Sequence, residues 1–251
     1  PVCYHPDAHH DAPGCIHGLG RIADNAVYSL TKDREGGVWA GSFFGGISYL
    51  PKEYTRFSYF IGGKTHPQLL GNAIREITPD RYGNLWLGTE DNGINSYNPR
   101  TGEITNYSYN NPGHPLSATN IHGLLAVENQ LWVGTFNKGI DVLDIPSGKI
   151  IKHYSRENSQ TNLNSNFILC FYKTRENELL VGTSNGLMIY NKQTESFSPW
   201  NNIYALIRQI YQDSRGDIWV ATSNGIYHYL RKENKVEQYR SGSNKSESIG
   251  N

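Results

Sequence analysis

Three aspartates stand in one local frame, Asp33, Asp80 and Asp213, each followed three residues on by a glycine. Recurring carboxylates invite a calcium reading, but calcium takes about six to eight oxygen ligands. One carboxylate per turn, a full repeat or more apart, cannot supply them; an aspartate accepting backbone N–H bonds inside its own turn accounts for the spacing. A second cluster, Cys3, His5, Asp7, His9, His10, Asp11, Cys15 and His17, carries zinc-ligand types. The register of the repeats puts it on an outer hairpin and the loop after it, away from the core, so no structural metal is expected there. Cys3 and Cys15 are the pair a disulfide would join, with Cys170 left over on an apolar strand; free buried thiols are common, and no disulfide is expected. A third set, Tyr28, Arg75, His122 and Arg208, offers planar donors and aromatic faces, the chemistry that binds sugar hydroxyls and ring faces.

The elements that must hold these residues follow from an internal repeat. Trp39-Ala40-Gly41-Ser42 recurs as Trp86-Leu87-Gly88-Thr89, Trp132-Val133-Gly134-Thr135, Leu180-Val181-Gly182-Thr183 and Trp219-Val220-Ala221-Thr222. Upstream of each copy stands an anchor position, Asn25, Asn72, Thr119, Asn166 and Ala205, and Asn251 opens a sixth. Successive anchors are 47, 47, 47, 39 and 46 residues apart. After each anchor comes an apolar strand such as Val27 to Leu30 or Ile74 to Ile77. The Asp-x-x-Gly turn and the Trp-x-Gly-Thr strand complete a hairpin. A short Asn/Gly turn, as in Asp91-Asn92-Gly93 or Ser184-Asn185-Gly186, leads to an alternating strand such as Ile94 to Tyr97. A Pro or Lys turn then leads to a polar fourth strand, Glu103 to Tyr109.

Four hairpin-linked strands per ~40 to 47 residues predict the blades of a β-propeller. The fold class is therefore all-β, a propeller of four-stranded antiparallel blades. Residues 1–24 read as the tail of a preceding blade, and 25–71, 72–118, 119–165, 166–204 and 205–250 as successive blades. Residue 251 starts a further one, all in one propeller-type domain whose edges fall inside repeats, as in an excerpt of a longer protein. A blade has two apolar faces and must stack on its neighbours. The tryptophan is expected to fill the interface and the glycine two places on to let adjacent backbones approach. Leu180 for Trp, Ala221 for Gly and the 39-residue copy, shortened before Ala205, depart from the pattern. Uncovered end faces predict self-association.

Charge excludes some functions. With 23 basic and 23 acidic residues and no like-charge run, neither nucleic acid nor an anionic membrane surface is an expected partner. No apolar stretch reaches the roughly 20 residues of a membrane span.

Asn-x-Val/Ile-x-x-Leu/Ile, Asp-x-x-Gly-x-Leu-Trp-x-Gly-Thr, Asn-Gly-Ile/Leu and Tyr-x-Pro together resemble the two-component regulator propeller repeat, over essentially the whole chain. The passage from Asp24 to Leu30, with Phe43-Phe44-Gly45-Gly46, resembles a blade near the junction of two propellers. The resemblance implies tandem seven-bladed rings in the periplasmic sensor of a hybrid two-component system of polysaccharide-degrading gut bacteria. Such a sensor recognises an oligosaccharide and signals to a histidine kinase. Neighbouring propeller and sandwich domains of the parent would be partners; no cofactor is implied.

In a propeller the first strand of each blade lines the axis, and ligands meet the face built by the loops entering it and the loops joining strands two and three. Three places after each anchor stand Tyr28, Arg75, His122, Leu169 and Arg208. In the second loop set, Phe43, Phe44, Asn92, Phe136 and Asn137 are candidates; asparagine there also serves the turn, whereas turns do not require aromatics. A sialidase-like enzyme would need a carboxylate among the axial arginines, and Glu76 is the nearest, one residue out of phase. A binding segment rather than an enzyme is expected, with a protein-interaction scaffold as the alternative.

Overall fold

The computed structural model describes residues 22, 24–52, 58–60 and 69–241. All of the expected blade tail but residues 22 and 24, its Cys/His/Asp cluster included, and the repeat opening at Asn251 lie outside them. Blade 1 comprises β1 (Val27–Lys32), β2 (Val38–Ser42), β3 (Gly46–Leu50) and β4 (Ser58–Phe60). Blade 2 comprises β5 (Ile74–Pro79), β6 (Leu85–Thr89), β7 (Ile94–Tyr97) and β8 (Ile104–Tyr107). Blade 3 is β9 (Ile121–Val127), β10 (Gln130–Thr135), β11 (Ile140–Asp144) and β12 (Lys149–Tyr154). Blade 4 is β13 (Ile168–Lys173), β14 (Leu179–Thr183), β15 (Gly186–Asn191) and β16 (Ser196–Pro199). Blade 5 is β17 (Ile207–Gln212), β18 (Ile218–Thr222), β19 (Gly225–Leu230) and β20 (Lys235–Tyr239). Each sheet pairs its strands in chain order, and the first strands lie side by side as β1, β5, β9, β13, β17. This is a run of propeller blades fanning from a common inner edge, with no helix among the described residues.

The Asp-x-x-Gly turn proves to be a clamp on the tryptophan as well as on itself. Asp80 Oδ1 accepts hydrogen bonds from the Tyr82 and Asn84 amides at 2.8 and 3.0 Å. Its Oδ2 accepts from the Trp86 indole Nε1–H at 2.9 Å. Asp33 holds Trp39 at 2.8 Å and Asp213 holds Trp219 at 3.2 Å in the same way. Burying an indole N–H without an acceptor is costly, so the aspartate serves the tryptophan in blades 1, 2 and 5; blade 3 keeps Trp132 with Ala126 at the aspartate's place. Blade 4 lacks both: Thr174 stands at the aspartate's place, and its hydroxyl accepts only the Glu178 amide at 3.1 Å, while Leu180 needs no acceptor. The left-handed turn position is Gly83 with φ 90° in blade 2 and Asn177 with φ 65° in blade 4, the non-glycine type that best tolerates it.

Blades meet through a socket at the strand-two glycine. A Cβ on Gly134 would stand 2.7 Å from Ile168 Cγ2, and one on Gly182 2.7 Å from Ile207 Cγ2. On Gly41 it would meet Ile74 Cγ2 at 2.8 Å. The glycine therefore admits the isoleucine that opens the next blade, rather than a bare backbone as the sequence suggested. Ile74, Ile121, Ile168 and Ile207 are fully buried, as are Trp39 and Trp86 between blades. Ala221, where no described blade follows, is exposed, and Leu30 at the other end of the row is 69% exposed.

Asp80→Ala leaves the buried Trp86 N–H and two turn amides without acceptors, so unfolding free energy in urea should fall by about 2–4 kcal/mol. Trp86→Phe should cost less in that background than in the wild type, because the two substitutions remove one shared interaction.

Candidate functional site

Each first strand carries one residue too many. Val27 pairs with Ser42 and Ser29 with Gly41, leaving Tyr28 unpaired. The pairing skips Arg75, His122, Leu169 and Arg208 in the same way in the other four blades. A β-bulge kinks the strand and re-aims the extra side chain, so all five residues indexed three places after the anchors occupy one structural position.

Backbone bonds tie that position to the strand-two loops. Phe43 N–H donates to Ala26 O, Glu90 N–H to Ala73 O and Phe136 N–H to Asn120 O, at 3.0 Å each. Ser184 and Ser223 repeat the bond to Phe167 and Leu206. The anchors link neighbouring blades: Gly46 N–H donates to Asn72 O, Gly93 N–H to Thr119 O and Gly139 N–H to Asn166 O. Within the loops, Thr89 Oγ accepts the Asn92 amide at 2.8 Å, and Thr135 Oγ the Lys138 amide at 2.9 Å. Asn92 and Asn137 keep negative φ; positive φ falls on Gly93 and Gly139.

The result is a connected arc over blades 1 to 3. Phe44, 69% exposed, packs on Phe43 at 4.2 Å between ring centroids, and Phe43 on Tyr28 at 5.2 Å. The Arg75 guanidinium lies 5.9 Å from the Tyr28 ring centre and forms an ion pair with Glu90. His122, 7% exposed, contacts Phe136 at 5.6 Å and Phe167 edge-on at 4.9 Å. Blades 4 and 5 continue the row differently, with Leu169 buried and Arg208 exposed. Sequence reasoning missed Phe167; the available signal was an aromatic where the other copies carry Ala26, Ala73, Asn120 and Leu206.

A cleft of about 390 Å³ opens beside this arc, lined by Tyr109, Thr119, Asn120, Phe136, Asn137 and Lys138 among others. Ser117 Oγ and Asn120 Oδ1 at its wall, and Nδ1 of neighbouring His122, are buried without a hydrogen-bond partner. Buried polar atoms are nearly always satisfied, so the orphans of Ser117 and Asn120 leave hydrogen-bonding capacity in the wall of the cleft.

Burial and the adjacent Arg75 charge both disfavour protonated His122 and push its pKa down to about 4. Glu76, past the bulge, pairs opposite Gly88; a Cβ there would touch both Glu76 Cβ and Ile121 and Leu124 of blade 3. Desolvation in this apolar interface raises the Glu76 carboxyl to about 8, against the opposing pull of Arg75.

The fold is that of β-propeller blades stacked side by side, with the strand-two loops gathered on one face. Residues 21–44, 68–91 and 199–224 match the family described as two component regulator propeller. Among solved structures, the extracellular domain of the hybrid two component system BT3049 from B. thetaiotaomicron superposes with a TM-score of 0.78 and 24% identity. That match covers 96% of this chain and 31% of the other. The extracellular domain of BT4673 from the same organism gives 0.71 at 23% identity, over 87% and 31%. Virginiamycin B lyase from Staphylococcus aureus gives 0.64 at 15% identity, over 88% and 72%. The chain thus spans under a third of the two-component domains it resembles, and likenesses at these identities establish the fold. No curated protein sequence matches the chain. No helix among the described residues is long and apolar enough to cross a membrane.

His122 and Glu76 give stability opposite pH slopes. The depressed histidine contributes stability that is present above its ordinary 6.5 and lost as pH falls through about 4. The raised carboxyl contributes stability present below 4.5 and lost as pH rises through about 8. Denaturation across pH should therefore show Glu76→Gln gaining on the wild type between pH 4.5 and 8, and His122→Leu losing less stability between pH 6.5 and 4.

Proposed function

We propose that the chain is a ligand-sensing segment of the periplasmic part of a hybrid two-component sensor in the inner membrane, and that its loop-bearing face binds an oligosaccharide. The observation that carries the reading is the blade 3 cleft. There exposed Phe136 and Tyr109 offer ring faces to the apolar side of a sugar. The orphaned atoms of Ser117 and Asn120 in the cleft wall match the sugar's hydroxyls. His122, neutral at physiological pH, suits an uncharged partner. The family match of the repeats supports a role in a sensor that passes its signal to a histidine kinase and so regulates polysaccharide use.

Catalysis by this segment is not part of the proposal. Arg75, the arginine beside Tyr28, is engaged by Glu90, and Arg208 stands three blades away. The exposed Phe43–Phe44 ledge favours a second reading, in which this end of the face docks another protein domain.

Thermal unfolding against a panel of neutral oligosaccharides tests the assignment. A ligand at 100 times its Kd should add about 2.7 kcal/mol to stability. Phe136→Ala should weaken binding by roughly tenfold or more, the worth of a buried aromatic contact. Stabilisation by none of the panel, with a second protein domain bound through Phe43 and Phe44 instead, would establish the docking reading.

A further inference from the structure

Blade 5 departs from the others at its clamp. Asp217 stands where blades 1 and 2 carry Gly37 and Asn84. His228 lies across the sheet from Trp219, a place taken by Tyr49 opposite Trp39 and by Ser96 opposite Trp86. Asp213, Asp217 and His228 thereby bring one donor atom each to within 4.8 Å of one another. All three sit on one sheet and its turn, so the grouping is rigidly held.

The histidine is what distinguishes this cluster from a surface pair of acids. Its ring stacks on Trp219, centroids 3.7 Å apart and 12° from parallel, and its side chain is 6% exposed. Neither ring nitrogen has a hydrogen-bond partner, although both are buried. Nε2 faces Asp217 Oδ2 at 3.6 Å, beyond hydrogen-bonding distance. Asp217 is oriented through its other oxygen and Asp213 through both, its Oδ2 accepting the Trp219 indole N–H at 3.2 Å. Asp217 Oδ1 accepts the Arg231 amide at 3.0 Å, and Asp213 Oδ1 the amides of Arg215 and Asp217 at 2.9 and 3.1 Å. Arg215 lies over the inward oxygens, 3.1 Å from Asp213 Oδ2 and 3.6 Å from Asp217 Oδ2. Its side chain is 65% exposed, so solvent can take the guanidinium back at little cost.

We propose that Asp213, Asp217 and His228 bind a divalent transition-metal ion, zinc foremost, with Arg215 as the cation it displaces. An imidazole with two carboxylates is a donor set for zinc and its neighbours. Calcium and magnesium, which prefer all-oxygen shells, are selected against. Three protein ligands leave a coordination position for water or for a donor from another molecule. This site goes beyond the sugar-binding face and stands independently of it.

Zinc binding to the chelator-treated chain, followed by calorimetry at fixed pH, tests the assignment. One zinc should bind per chain at a step that excess magnesium does not displace. His228→Gln and Asp217→Asn should each abolish that step, and Arg215→Gln should tighten it by roughly fivefold, the worth of a competing exposed ion pair. Zinc held by the N-terminal Cys/His cluster would survive all three substitutions and so be told apart. A zinc isotherm unchanged in His228→Gln would overturn the proposal. So would an unchanged affinity in Arg215→Gln, a surface substitution that leaves the fold intact.

Discussion

Everything in this molecule is spaced by one contact, the isoleucine that opens each blade seated over the strand-two glycine of the blade before it. A four-stranded sheet with two apolar faces is unstable alone, and its neighbour can cover it only if the backbones approach within an isoleucine's reach. A β-carbon at that glycine would stand less than 3 Å from the isoleucine at Gly41, Gly134 and Gly182. The tryptophan beside it fills the wider part of the same interface, and the turn aspartate receives its indole N–H. In blades 1 and 2 glycine, the next blade's isoleucine, tryptophan and aspartate thus form one packing unit. Blade 4 exchanges aspartate and tryptophan together, whereas blade 3 keeps Trp132 with Ala126 at the aspartate's place.

That spacing turns a local irregularity into a surface. A bulge on a single strand would re-aim one side chain; repeated at the same place in five stacked blades, it produces a row. Bonds from the strand-two loops to the residues before each first strand, and from one loop to the next anchor, keep the row in register. Arg75 is its electrostatic centre. It faces the Tyr28 ring, pairs with Glu90 and helps hold His122 neutral, so the arc carries little net charge in its middle.

The same framework tolerates variation at its outer parts. At the residue opposite the tryptophan, or opposite Leu180 in blade 4, tyrosine, serine, valine, isoleucine and histidine occur in turn. Each is compatible with the sheet because that residue lies on the tryptophan side of the third strand and needs only to cover the ring. Chemistry can change there without disturbing the socket.

Periodicity in the chain was enough to determine the blades, their strand order and the equivalence of Tyr28, Arg75, His122, Leu169 and Arg208, because these depend on local turn chemistry and on a repeat that any stacked sheet must obey. The aspartate's role inside its own turn was legible for the same reason, whereas its bond to the indole six residues on was not. Only the tertiary structure decided that the equivalent position is a bulge, that Glu76 turns into an apolar interface while Arg75 turns to the face, and that Phe167 completes the aromatic wall around His122. It likewise joined Asp213 and Asp217 to His228, which lies across two strands. Such meetings depend on the side-chain direction set by a one-residue slip in pairing and on distances between strands, and neither is written in the spacing of residues along one chain.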